Sequence, residues 1–275
     1  MANERGLVIS CPVEISGSGM TLRSGTDLDP QELRFSLLFW DKLDFPTNNL
    51  ISLGLNAEAQ FLQSAGLLNR TMTQVIGGGT DASMLVLTHL LAFRTLDQRE
   101  PGVWSLSTGK NAISFADDDM ELDKGVLVSL YRAIPVPDKD APLQDILEFR
   151  TKRRDELIML RHHLEDIYQR VISAGDGELA LNTEIERLQR AIGDHVKAAR
   201  GSSLKFRLVD FDANLNLAPA VTAAAVAYAA GLSIPLSLLA GLGAALRLKV
   251  GPSLKRHEAT STPFRYISSY HRELF

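Results

Sequence analysis

The chain has 275 residues, a formal net charge of -4 and 45% hydrophobic residues, enough apolar material to bury the core of one large domain or two modest ones. This composition excludes global disorder, and the charge excludes a field over the whole molecule that would favour nucleic acid. The single cysteine, Cys11, excludes an internal disulfide and any site built from several thiolates. One cysteine and an initial apolar stretch too short for a signal peptide predict a cytoplasmic protein.

The first part of the chain predicts alternating short strands and helices. Residues 7–15 are rich in β-branched side chains and precede a Ser-Gly repeat, which predicts a strand closed by a turn. Asp29 before Pro30 is typical of a helix start, and Asn56 predicts the cap of a second, short helix. A longer, leucine-rich helix is predicted over residues 83–95.

Two more strands are predicted before a segment rich in proline. They cover residues 112–115 and 126–134, on either side of an acidic stretch. Pro135, Pro137 and Pro142 then disfavour helix at the residues that precede them. We therefore predict an α+β domain over residues 1–136.

The region 143–200 predicts a helical hairpin. Apolar residues recur at spacings of three and four, which forms a heptad-like seam in each of two helices; they are Leu157, Leu160, Leu164, Ile167 and Val171, then Leu181, Ile185, Leu188 and Ile192. Gly175, Asp176 and Gly177 separate the helices, and Thr183 with Glu186 has the spacing of a capping box. Each seam spans only about two heptads, which favours intramolecular packing or a short oligomer interface over an extended coiled coil.

The third predicted part, residues 201–275, contains an unbroken uncharged run over residues 213–246. Such a run must be hidden from water, within protein or within a bilayer. Gly231 and Pro235 divide it into pieces of about 20 and 16 Å as helices, each shorter than the roughly 30 Å hydrocarbon layer. A kinked transmembrane helix, a re-entrant hairpin and two buried helices all remain open.

Small residues at four-residue spacing in this run favour close helix association in lipid or in protein. The residues that we expect to form this membrane or oligomer segment are Ala220, Ala224, Ala227, Gly231, Pro235, Leu238, Gly241 and Ala245. Because alanine favours insertion only weakly, we expect insertion to be conditional rather than permanent.

Basic residues follow the run and also begin the long helical region. Residues 247–275 hold six Lys or Arg and two Glu, an excess that suits an anionic inner-membrane leaflet. The candidate basic contacts are Arg247 and Lys249, with Arg150, Arg153 and Arg154 earlier in the chain. The aromatic residues Phe264, Tyr266 and Tyr270 either lie at such a membrane interface or belong to a final element that docks on the core.

No pattern specifies a reaction, a metal or a cofactor. The Gly-Lys at residues 109–110 lacks the other residues of a phosphate-binding loop, and Gly77 to Thr80 is typical of a permissive loop. The acidic residues between Asp117 and Asp123 lack the spacing of a calcium loop. His162 and His163 are adjacent and cannot form a helical metal pair.

Three phrases resemble an uncharacterised family of bacterial proteins: Leu-Leu-Phe-Trp-Asp-Lys-Leu at 37–43, Asp-Ile-Leu-Glu-Phe-Arg at 145–150 with residues 153–157, and Pro-Phe-Arg-Tyr at 263–266. Some members of that family look like components of defence or toxin systems. The resemblance implies a bacterial, cytosolic origin and a stress or antiphage role. It implies no catalytic residue.

The sequence therefore predicts a predominantly helical α+β protein that acts as a non-enzymatic effector. Its uncharged segment would pack in a homo-oligomer, bind a protein partner or insert conditionally into the inner membrane. The alternative is a soluble oligomeric regulator or adaptor. A metal-dependent nuclease or nucleotide-processing enzyme built on the acidic stretch is a third hypothesis, so nucleic acid is not excluded as a partner.

Overall fold

The computed structural model describes residues 4–16, 19–22, 28–50, 53–75, 82–107, 113–115, 126–136, 140–200 and 262–274. The strands in this part of the chain are β1 Gly6–Val8, β2 Val13–Ser16, β3 Gly19–Leu22, β4 Lys42–Asp44, β5 Thr47–Asn48, β6 Leu68–Asn69, β7 Met72–Thr73, β8 Trp104–Leu106 and β9 Ile113–Phe115. The helices are α1 Pro30–Phe39, α2 Ala57–Ser64, α3 Ala82–Arg99, α4 Val126–Arg132, α5 Leu143–Lys152, α6 Arg154–Ile172, α7 Gly177–Arg200 and α8 Arg265–Glu273. The predicted fold class, α+β and predominantly helical, is confirmed.

A four-stranded parallel sheet in the order β6-β4-β1-β8 organises the first part of the molecule. Leu7 pairs with Leu43 on one side of β1, and Gly6 pairs with Trp104 on the other. The chain moves outward from β1 through β4 to β6 and then returns to the opposite side of β1 as β8. The strand order therefore reverses between β1 and β8, as in doubly wound sheets.

The ladder between β4 and β6 continues as the parallel pair β5 and β7. Leu43 pairs with Leu68 and Thr47 pairs with Met72, so the offset of 25 residues is the same before and after the interruption. Pro46 lies at the interruption and has no backbone N–H to donate. With the same offset, we expect the side chains of the two paired segments to alternate between the two faces in the same order before and after Pro46.

The strand predicted over residues 7–15 is wrong as a single element. It forms β1 and β2, which belong to different sheets: β2 pairs with β3 in antiparallel fashion and with β9 in parallel fashion. Pro12, which cannot donate to a ladder, lies between the two strands. The strand predicted at residues 112–115 is confirmed as β9.

The strand predicted over residues 126–134 is also wrong, because this stretch forms α4. Val126 and Val128 suggested a strand through their β-branched side chains. Val126, Val128, Ser129, Leu130 and Tyr131 are all buried, so the helix is covered on most sides and its sequence lacks a helical period. Tertiary burial overrides local strand propensity here.

Both predicted helix starts are confirmed. The Asp29 carboxylate accepts a hydrogen bond from the Glu32 N–H at 2.9 Å at the start of α1. The Asn56 side chain accepts one from the Ala59 N–H at 2.9 Å at the start of α2. The helix predicted at residues 83–95 is confirmed as part of α3.

The predicted helical hairpin is formed by α6 and α7, and every residue of the two predicted seams is buried. The part of the predicted region that precedes Gly175 is divided at Arg153 into α5 and α6. The capping box at Thr183 is wrong, because α7 begins six residues earlier at Gly177. The cap is Asp176, whose carboxylate accepts from the Leu179 N–H at 3.0 Å.

The described residues fall into two compact units. One, the sheet unit, contains residues 4–32 and 40–115, and the other, the helical unit, contains residues 33–39, 126–200 and 262–274. The predicted division into 1–136, 143–200 and 201–275 stays a prediction, since most of its last part lies outside the described residues.

Candidate functional site

Two arginine side chains from distant elements of the helical unit bind carbonyl groups at the end of α1. Arg150 Nη1 donates to Leu37 O at 3.0 Å, and Arg161 Nη2 donates to Phe39 O at 2.6 Å. The last carbonyls of a helix have no partner within the helix and carry partial negative charge. The two guanidinium groups supply these carbonyls with hydrogen-bond donors and with positive charge. Arg150, predicted as a basic contact for a partner, is therefore bound within the chain.

The predicted basic contact Arg153 belongs to an ion-pair group that joins α6 to α8. It binds Glu156 at 3.0 Å and also binds Glu273, while Arg265 lies 3.2 Å from Glu156. Burial alone would raise the pKa of Glu273, but hydrogen bonds from Arg153 and Arg272 lower it below its ordinary value. Arg154, the other predicted contact on this helix, is exposed at the first position of α6.

Helix α8 buries its aromatic side chains. Tyr266, Ile267 and Tyr270 are fully buried, the Tyr270 hydroxyl donates to Pro135 O, and the Phe149 and Tyr266 rings lie 5.2 Å apart. Burial raises the pKa of Tyr270 well above its ordinary value. The alternative in which the final element docks on the core is therefore confirmed, and Tyr266 and Tyr270 do not lie at a lipid interface in this structure.

The end of α7 and the start of α8 are neighbours. His195 Nε2 lies 3.3 Å from the Ser268 hydroxyl, and Thr262 Oγ1 lies 3.4 Å from the same ring. The Phe264 ring lies 6.2 Å from the His195 ring and 5.2 Å from that of His163. The last turns of α7 and the start of α8 therefore lie side by side within the helical unit.

Several predicted residues lie outside the described residues, and nothing follows for them from the structure. They are Ala220, Ala224, Ala227, Gly231, Pro235, Leu238, Gly241, Ala245, Arg247 and Lys249, with the glycines at 77–79 and the acidic residues from Asp117 to Asp123.

The sheet unit contains buried polar side chains that the sequence did not single out. Asp44 accepts from the Thr71 hydroxyl at 2.7 Å and from the Thr71 N–H at 3.3 Å. Burial raises the pKa of Asp44 to about 6, although the bonds from Thr71 and the charge of Arg70 act to lower it. Elsewhere in the unit, the Ser107 hydroxyl donates to buried Glu32 at 2.5 Å.

His89 is fully buried on α3, where its Nδ1 lies 2.7 Å from Leu85 O. A carbonyl only accepts, so Nδ1 carries the proton of the neutral ring. Burial lowers the pKa of His89 to about 4, against smaller opposing contributions from the backbones of Leu85 and Ile9. His89 is a single histidine in a largely apolar helix, and no neighbouring residue in the sequence forms a recognisable motif with it. No local pattern could therefore have indicated that its ring is buried.

Within the ranges that the structure describes, no three His, Cys, Asp or Glu side chains are grouped to hold a metal ion. No helix in the same part of the chain has both the length and the apolar character needed to cross a bilayer. Comparison with curated proteins and with solved structures yields no match, so no known site can be transferred to these residues.

Proposed function

The chain belongs to the family of unknown function DUF6236, whose family model matches residues 12–275, and on this premise we propose that it is a non-enzymatic effector centred on residues 213–246. In this proposal the helical unit is a stable base, and the uncharged segment packs in an oligomer or enters the inner membrane when a trigger releases it. The family membership that the three sequence phrases indicated is confirmed. The defence or toxin role is part of the proposal.

The observation that carries the proposal is the close approach of Thr262 and Ser268 to His195. The described chain before the segment and the described chain after it belong to the same folded base, where His195 and Thr262 are neighbours and α8 is held by the buried Tyr266 and Tyr270. Release of the segment would therefore leave the base folded. A segment attached in this way would enter a bilayer and return on the same side, which favours the re-entrant hairpin over a single span.

A covalent link between the two attachment points tests this topology. Cysteines placed at His195 and Thr262 would be joined by a short bismaleimide, while Cys11, which is fully buried, would stay unreacted in the folded protein. We expect the linked protein to release the contents of anionic vesicles as well as the unlinked protein does. Leakage that disappears on linking would contradict entry as a same-side hairpin.

Replacement of Ala224 and Leu238 by Asp tests the role of the segment itself. Two charges within it should abolish toxicity and vesicle leakage, because carboxylates are costly in hydrocarbon. The circular dichroism of the variant should match that of the natural chain. Toxicity retained by a folded double variant would count against the proposal.

The soluble oligomeric adaptor is the second candidate, favoured by the small residues spaced four apart in the same segment. In that case the two Asp replacements should dissociate the oligomer, and no protein should sediment with membranes. Mass measurement of the natural chain, with and without anionic vesicles, separates the two candidates. A stable oligomer that ignores vesicles supports the adaptor, whereas vesicle binding supports the membrane effector.

A further inference from the structure

Three buried polar atoms of the sheet unit have no hydrogen-bond partner among the described residues: Thr47 Oγ1, Arg70 Nη2 and His89 Nε2. The first two belong to the paired strand segments at residues 42–48 and 68–73. Thr47 is only 8% exposed, so water does not readily replace the missing partner. An unsatisfied buried donor costs about 1–3 kcal/mol, and more when it is charged. Such groups in a folded protein call for an explanation, and a bound ligand or ion is one.

The strand register places these two side chains on one face of adjacent strands. The offset of 25 between the paired strands aligns Phe45 with Arg70 and Thr47 with Met72. Alternate residues of a strand share a face, and aligned residues of parallel neighbours do so as well. Thr47 and Arg70 are therefore diagonal neighbours, a separation that one small group can bridge.

The Arg70 guanidinium is held in a defined orientation. Its Nε donates to Phe45 O at 3.3 Å, and its Cζ lies 5.3 Å from the centre of the Phe45 ring. Burial lowers the pKa of Arg70, while the charge of Asp44 opposes that change. A planar guanidinium held through its Nε and by its contact with an aromatic ring has lost much of its freedom, so Nη2 is prepared to donate to a ligand.

The charge of Asp44 acts on Arg70, but the Asp44 oxygens accept their hydrogen bonds from the Thr71 hydroxyl and N–H. The Arg70 charge is balanced at a distance, and its Nη2 donor stays unused. Met72, the aligned neighbour of Thr47 on the same face, is 61% exposed. The face that carries the two donors therefore reaches solvent at Met72.

We propose that Arg70 and Thr47 form a binding site for the oxyanion group, phosphate or carboxylate, of a small ligand. Both protein atoms can donate, and one of them is charged, so the complementary group is a compact anionic acceptor. Arginine suits such groups because its planar donors match the oxygens of phosphate and carboxylate. The threonine hydroxyl supplies the second donor.

Titration calorimetry of the full chain with inorganic phosphate, and separately with acetate, tests the site at constant ionic strength set by sodium chloride. Binding of phosphate or of acetate identifies which oxyanion the site accepts. We expect Thr47→Val and Arg70→Gln each to weaken that binding by about tenfold or more, the value of a hydrogen bond to a charged group. Thr47→Ser keeps the hydroxyl and should retain the binding.

Matched controls change the same residue types elsewhere. Arg187, ion-paired with Glu184 on α7, and Thr151, exposed on α5, can be replaced by Gln and Val without effect on the anion. If a site variant does not fold, amide chemical shifts of the natural chain decide instead, with phosphate-induced changes expected at residues 45–48 and 69–72. Absence of binding by both anions, shifts confined to other residues, or undiminished binding by folded Thr47→Val and Arg70→Gln proteins would overturn the proposal.

Discussion

Tyr266 in α8 donates its hydroxyl hydrogen to the carbonyl oxygen of Leu38 at 2.8 Å, although 228 positions of sequence separate the two residues. Arg150 binds the carbonyl group just before Leu38, and Arg161 binds the one just after it. Leu38, Arg150 and Tyr266 come from the three phrases that carry the family resemblance. Those phrases therefore meet at one place, the end of α1.

Removal of the Tyr266 hydroxyl should weaken the attachment of α8. Tyr266→Phe keeps the ring packing but leaves the buried Leu38 carbonyl without this donor, and we expect a loss of about 1–2 kcal/mol in the free energy of unfolding. Urea denaturation measures the loss, and amide hydrogen exchange should show faster opening in α8 than in α6. Equal exchange in both helices would contradict a local role for the bond.

Arg161→Met should lower the free energy of unfolding more than Arg150→Met does. Arg161 is 3% exposed and donates at 2.6 Å, whereas Arg150 is half-buried and donates at 3.0 Å. Loss of a charged donor from a buried carbonyl costs about 2–3 kcal/mol, and loss from a site that water reaches costs less. Denaturant midpoints of the two variants test the order, and an equal or reversed order would contradict it.

Asp44 and His89 should oppose each other in the pH dependence of stability. Folding raises the pKa of Asp44 from 3.8 to about 6, so its contribution is present below pH 3.8 and is lost as the pH rises to about 6. Folding lowers the pKa of His89 from 6.5 to about 4, so its contribution is present above pH 6.5 and is lost as the pH falls to about 4. Each group changes the free energy of unfolding by about 3 kcal/mol over this pH range, and the two changes nearly cancel because they have opposite signs.

Single substitutions should uncover each contribution in turn. We expect Asp44→Asn to become more stable, relative to the natural chain, as the pH rises from 4 to 6. We expect His89→Gln to become less stable over the same range. Urea denaturation midpoints at a series of pH values measure both effects. The contributions of all other groups cancel when a variant is compared with the natural chain. A variant whose curve against pH runs parallel to that of the natural chain would therefore show that the corresponding pKa shift is absent.

Gly6→Ala should destabilise the sheet unit because of Trp104. A Cβ atom on Gly6 would lie 2.5 Å from the indole ring, which is itself buried. Overpacking of this kind typically costs about 1–3 kcal/mol.

Gly193→Ala is the matched control for that change. Gly193 lies within α7, and a Cβ there would meet nothing within 4 Å. Alanine in place of glycine inside a helix stabilises by about 0.5–1 kcal/mol. The midpoint temperature of thermal denaturation should therefore fall for Gly6→Ala and rise for Gly193→Ala. A shift of the same sign in both variants would contradict the steric account of Gly6.

Local chemistry made much of the architecture predictable. Asp29 and Asn56 cap helices through bonds to residues three positions away, and the seams of α6 and α7 repeat within each helix. Such signals act over one or two turns, so the sequence displays them directly. The same reasoning failed for α4, because Val126 and Val128 favour a strand locally and only burial on most sides makes the helix the better solution.

The candidate sites depend on contacts that no local pattern displays. The sequence by itself determined the cap residues, the hairpin seams, the uncharged run and the family, since each of these is written in neighbouring residues. Only the tertiary structure decided that Arg150 binds within the chain, that Tyr266 is buried, and that Thr47 Oγ1 and Arg70 Nη2 are buried with no partner among the described residues. The reason is physical: burial and strand register join residues that are tens or hundreds of positions apart.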